Sequence, residues 1–170
     1  MDDENGLTNR RDFLKMAAAG AVGSMALSGC SSSQAEAVST RTVTIIGVLD
    51  IAQALADNSL VDNLYWFDSN ARKGSLYQGT DHLRTVISPG DLVLWVVSGL
   101  QVETLADIAR ITGPAASIAN AASSPIAPGV NFWSGKIGLD ASGVYEYDIA
   151  LQVEGRLMTA SKPLVLDVRY

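Results

Sequence analysis

What this chain lacks narrows its chemistry before any motif is read. It holds one cysteine, Cys30, and one histidine, His82, among 170 residues. Zinc centres built on cysteine and histidine use about four ligands, so that class of site is excluded. A lone cysteine closes no internal disulfide, and the fold must rest on its core. Lysine and arginine number 12 against 18 aspartates and glutamates, a formal charge of −6. No basic cluster lies beyond the first fifteen residues, so the electrostatic footprint of nucleic-acid binding is missing. The same acidic excess opposes charge-driven adsorption to anionic lipid. No apolar run reaches the ~20 residues of a membrane-spanning helix. Phosphate-cradling glycine loops, a dinucleotide fingerprint, a Gly-x-Ser-x-Gly elbow and internal repeats are also absent.

What is there begins with Asn9-Arg10-Arg11-Asp12-Phe13-Leu14-Lys15, which resembles a twin-arginine export signal. Asn9 stands where such signals often carry Ser or Thr. The mildly hydrophobic run MAAAGAVGSMAL follows, too short to span a bilayer. Leu27-Ser28-Gly29-Cys30 then resembles a bacterial lipobox ending in the cysteine to be acylated. The resemblance implies a signal peptide over residues 1–29 and a diacylglyceryl thioether, usually with an N-acyl chain, on Cys30. Each buried methylene contributes about 0.8 kcal/mol, and two or more chains anchor stably where one does not. Serine at position 31 resembles lipoproteins sorted to the outer membrane. The expected address is therefore the cell envelope, with the membrane and the twin-arginine translocase as partners. Residues 30–41, rich in Ser and Ala, read as a flexible linker.

Residues 42–170 read as one β domain. Residues 42–49, TVTIIGVL, are β-branched and apolar, a good first strand. Asp50 precedes Ile51, Ala54 and Leu55 on one helical face, so a short helix capped by Asp50 and closed by Asn58 is expected. Residues 63–68 and 83–88 read as strands, separated by a turn at 69–74. Pro89-Gly90-Asp91 carries a type II turn signature ahead of the apolar strand 92–97. Residues 102–111 suit helix and strand equally. Residues 113–129, GPAASIANAASSPIAPG, read as a long loop or flap. Strands are expected at 131–137, at 144–154 with Tyr145, Tyr147, Ile149, Leu151 and Val153 on one face, and at 164–169. The sum is a mainly β fold of about seven to nine strands with one short helix: an antiparallel sandwich or jelly-roll-like barrel.

The stretches Ile45 to Asp50, Gly79-Thr80-Asp81, Ser88-Pro89-Gly90-Asp91-Leu92-Val93-Leu94-Trp95, Gly143-Val144-Tyr145-Glu146-Tyr147 and Lys162 to Val168, in that order, resemble the PixA/AidA family of bacterial inclusion-body proteins. The resemblance covers most of residues 42–170 and implies a β-sandwich, with no catalytic residues to carry over. The Pro-Gly-Asp-Leu-Val-Leu-Trp run is also similar to cupredoxins. A blue-copper centre needs two histidines, a cysteine and usually a methionine; with His82 alone and Cys30 acylated, only a metal-free cupredoxin-like shell remains.

Few residues qualify for chemistry. His82 and Asp81 with nearby serines permit a triad on paper, but adjacent residues orient each other poorly, and His82 reads as a turn or capping residue. A concave site joining His82 to two carboxylates would argue for an enzyme instead. Asp81, Asp91 and Asp107 form no calcium-loop pattern and read as scattered solvated aspartates. Trp66, Trp95 and Trp133, with Tyr65, Phe67 and Phe132, read as core before pocket. Phe132 and Trp133 are the pair expected to contact a ligand. The sequence thus points to a non-enzymatic, lipid-anchored binding or assembly module without cofactor, with self-association as the alternative.

Overall fold

A computed structural model describes residues 40–101, 105–127 and 130–170, all within the compact unit Ala37–Tyr170. The arginine pair, the lipobox and Cys30 lie outside the described residues. Strand β1 (Thr42–Leu49) runs into helix α1 (Ile51–Asp57). The Asp50 carboxylate accepts from the Gln53 N–H at 3.1 Å, and Asn58 ends the helix in the left-handed region. Such a cap contributes about 1 kcal/mol. Ile51 and Ala54 anchor the helix to the core with no exposure. Strands β2 (Leu64–Asp68) and β3 (Arg84–Ile87) follow. At the Pro89-Gly90 turn, Gly90 takes φ +82° and the Asp91 N–H donates to the Ser88 carbonyl at 3.1 Å, leading into β4 (Leu92–Gly99).

The ambiguous segment is a strand from Ala106 onward, β5 (Ala106–Thr112). A bulge between Ile108 and Arg110 turns both Ile108 and Ile111 inward. That three-residue spacing imitates a helix, which is why periodicity could not decide. The expected flap is a correction. Residues 113–129 hold helix α2 (Pro114–Ile118) and strand β6 (Ala122–Ala127). Pro114 sits in the first helical turn, where no N–H is needed, and Pro125 is tolerated because β6 is an edge strand. Strands β7 (Val130–Lys136), β8 (Gly143–Val153), β9 (Arg156–Thr159) and β10 (Leu164–Val168) complete the fold.

Two sheets result, ordered β2-β1-β4-β7-β6 and β3-β10-β8-β5, with β9 alongside β8. The mainly β sandwich is as expected, with ten strands among the described residues and a second helix. The pairing is not purely antiparallel: β1 runs parallel to β4, and β10 parallel to β3. Alternation tells which face a residue takes but not the direction of its neighbour, so the sequence could not reveal this.

Inward residues of both sheets form one core. Val43, Ile45, Val93 and Trp95 come from the first sheet, and Ile149, Leu151, Leu164 and Leu166 from the second. Each fully buried aliphatic side chain contributes about 1.5–3 kcal/mol before entropy is charged against it. At the centre the Trp95 indole N–H donates to the Tyr147 hydroxyl at 3.1 Å, with the rings edge to face. The chain between β2 and β3 bridges the two sheet edges. Trp66 donates to the Thr80 carbonyl at 2.9 Å, while Leu76 and Arg84 exchange backbone hydrogen bonds of 2.9 and 3.0 Å.

Candidate functional site

That bridging segment builds one wall of a groove of about 440 Å³ on the outer face of the second sheet. Arg84, Val165 and Glu146 lie in one row across β3, β10 and β8, because Val165 pairs with both others in register. Their side chains share the outer face, since the alternate residues Thr85, Leu166 and Tyr147 are buried. Tyr77 and His82 close one side, and Lys162 and Pro163 another.

The polar geometry is ordered. The Thr80 hydroxyl donates to the Tyr77 carbonyl at 2.8 Å and accepts from the His82 N–H at 3.3 Å. This tight turn brings the His82 Nδ1 to 2.7 Å from the Asp81 carboxylate. Adjacent residues do therefore orient each other here, against the sequence expectation. The Lys162 ammonium lies 2.9 Å from the other Asp81 oxygen. Partial burial raises the Asp81 carboxyl, but the hydrogen bonds from His82 and Lys162 outweigh it and hold it below its usual range. Arg84 donates from Nε and Nη2 to Asp167 at 3.0 and 2.7 Å, and Arg169 binds the same oxygen. Tyr77 adopts φ +63°, a strained conformation for a bulky residue, with its ring centroid 4.8 Å from that of His82.

A concavity lined by His82 and one carboxylate, Glu146, is thus present, with Asp81 bonded to the His82 ring but not itself among the described lining residues. No serine, threonine or cysteine is among the described lining residues, and Asp81 is shared between His82 and Lys162. Among the described residues no group of three or more His, Cys, Asp or Glu side chains could hold a metal ion.

The other sequence candidates are scattered. Asp91 is buried rather than solvated: its carboxylate accepts from the backbone N–H groups of Ser88 and Arg41 and so fixes the turn before β4. Asp107 is half-buried and accepts from the Asn131 amide, far along the fold from Asp81. Trp66 and Trp95 are core, as expected, whereas Tyr65 and Phe67 are exposed. Phe132 and Trp133, as strand neighbours, point to opposite faces and form no common platform. Trp133 pairs with the inward Trp95 and donates its indole N–H to the Ile108 carbonyl at 2.8 Å.

Phe132 belongs instead to the outer face of the first sheet. There Phe67 pairs with Ile46 and Ile46 with Val96, while Tyr65 pairs with Val48. Leu94, Ser134 and Ala122 continue the face across β4, β7 and β6. Lys136 at the rim is the one charge among the described strand residues on this face.

These features define a two-sheet, mixed β-sandwich with a charge-lined groove on one face and, on the other, a largely apolar surface with Lys136 at its rim. The chain belongs to the family described as Domain of unknown function (DUF8788), whose model matches residues 41–159. Its fold is similar to that of the inclusion body protein PixA from Burkholderia cenocepacia J2315, with a TM-score of 0.56 at 14% identity. The alignment covers 76% of this chain and 94% of that one. At that identity the likeness is one of fold. No curated protein matches the sequence.

Proposed function

We propose that the protein is a non-catalytic structural module of the cell envelope, exported through its twin-arginine signal and anchored by acyl chains on Cys30. It assembles with further copies of itself through the outer face of the first sheet. One observation carries this reading: Ile46, Tyr65 and Phe67, between 38% and 42% exposed, sit among apolar neighbours on a face without a central charge. A sheet face whose only strand charge among the described residues lies at its rim meets its own copy with little like-charge cost at the centre, and sheets pack face to face at about 10 Å. A different partner would ordinarily be selected by complementary charge, which this face does not offer. The inclusion-body protein that shares the fold supports an assembling role.

Two measurements test the reading. Intact mass and fractionation of the expressed protein should find a membrane-bound form beginning at acylated Cys30, lost in Cys30→Ala. A soluble protein still starting at Met1 or Asp2 would overturn the anchoring. Sedimentation velocity should show a coefficient that rises with concentration, abolished by Ile46→Lys with Phe67→Lys. A wild type that stays monomeric throughout would overturn the assembly.

A further inference from the structure

The groove on the second sheet lies on the opposite side of the sandwich from the assembly face, and its chemistry is independent of that reading. We infer that it is a binding site for a neutral saccharide, stacked on Tyr77 and hydrogen-bonded by Glu146, His82 and Arg84. Three observations select this class. First, each cation of the groove is already engaged by a carboxylate: Lys162 by Asp81, and Arg84 by Asp167, which Arg169 shares. These partners weaken the groove's pull on an anion, and Glu146 opposes one further. Second, the lining mixes the charged side chains of Arg84 and Glu146 with apolar surface from Tyr77, Pro163 and Val165, the mixture an amphipathic sugar ring meets on its edge and its face. Arg84 and Glu146 stand on either side of Val165, two strand spacings or roughly 10 Å apart. A polyol laid over Val165 could accept from the guanidinium side and donate to the carboxylate while its apolar face covers the strand. Third, Tyr77 is 54% exposed and held in a left-handed conformation that a tyrosine adopts only under constraint. The Thr80 hydrogen bond to its carbonyl and the ring contact with His82 impose that constraint. The result is a fixed aromatic face beside fixed donors and acceptors, the combination that C–H-rich, hydroxyl-rich rings require. A volume of about 440 Å³ suits a mono- or disaccharide.

The test is calorimetric titration of the full chain with maltose, cellobiose and N,N′-diacetylchitobiose, and with inorganic phosphate as the anionic comparison. At least one disaccharide should bind with one-to-one stoichiometry, and phosphate should not. Tyr77→Ala and Glu146→Gln should each weaken binding about tenfold. Tyr77→Phe should retain it, because the ring face does the stacking, and Leu100→Ala, at an exposed position outside the groove, should leave it unchanged. Binding of none of the three sugars, equal binding of phosphate, or affinity indifferent to Tyr77→Ala would each overturn the assignment.

Discussion

Replacing Tyr147 by phenylalanine removes one oxygen from the middle of the sandwich, and the cost follows from its surroundings. The hydroxyl accepts the Trp95 indole N–H at 3.1 Å. Tyr147 is 1% exposed and Trp95 not at all. Burial pushes the phenol pKa upward against the opposing hydrogen bond from Trp95, so the hydroxyl stays neutral at any working pH. In Tyr147→Phe the ring keeps its place and its edge-to-face packing on Trp95. The void left by one atom is small. What changes is the indole N–H, which loses its acceptor in a region closed to water. Leaving such a donor unpaired costs about 1–3 kcal/mol. Tyr145→Phe is the matched control. Its hydroxyl donates to the Ser142 carbonyl at 2.9 Å in an exposed setting, where water can substitute, and should cost about 0.5 kcal/mol or less. Urea unfolding followed by tryptophan fluorescence measures both, with unchanged denaturant slopes as the check on two-state behaviour. Equal losses in the two variants, or none for Tyr147→Phe, would refute the reasoning and show that the indole finds another acceptor.

Thr85 presents the reverse case: its hydroxyl is fully buried and has no partner among the described residues, so Thr85→Val should raise stability by about 1 kcal/mol in the same assay. A loss there would mean that the hydroxyl is satisfied after all. Gly135→Ala places a methyl 2.4 Å from the Ala119 carbonyl oxygen and should lower stability by about 1–3 kcal/mol, read as a fall in Tm. An unchanged Tm would mean that α2 can move aside. Hydrogen bonds from Arg169 and, against the opposing burial, from Arg84 hold the Asp167 carboxyl below the usual carboxylate range. A carboxyl lowered on folding contributes stability that is complete above its unfolded pKa and lost as pH falls through the folded one. Urea midpoints from pH 6 downward, in steps to about pH 2, should therefore fall more steeply in wild type than in Asp167→Asn below about pH 4; parallel acid limbs would contradict this.

Much of the strand pattern was legible because one face of each strand is buried. In β8 the alternation of Tyr147, Ile149, Leu151 and Val153 marks the inward face directly. The Asp50 cap and the Pro89-Gly90 turn were legible because their residues act within a few positions of themselves. The loop expected at 113–129 failed on composition: small residues and prolines also suit a helix start and an edge strand. Parallel pairing was invisible because it depends on which strand arrives alongside. The groove was half-legible. His82 and Asp81 were marked as candidates, but their partners were not, since Arg84 and Glu146 meet only through the register of three strands and Lys162 arrives on the connection between β9 and β10. Asp91 looked solvated because nothing in the sequence says that two backbone N–H groups turn toward it.

The placement of β10 also sets the timing of folding. It lies between β3 and β8, and Arg84 on β3 grips Asp167 across 83 positions of chain. Among the described residues strand β3 has no ladder neighbour other than β10, apart from the single bridge of Arg84 to Leu76, so it cannot join a sheet until β10 docks. The first sheet can gather β1, β2 and β4 early, while the second waits on a contact of high sequence separation. Closing so wide a loop before any ladder bond is gained places folding in the slow range, milliseconds to seconds. During that wait the edges of β3 and β8 stand open beside an apolar interior, so misassembly between chains competes with completion most strongly in this interval.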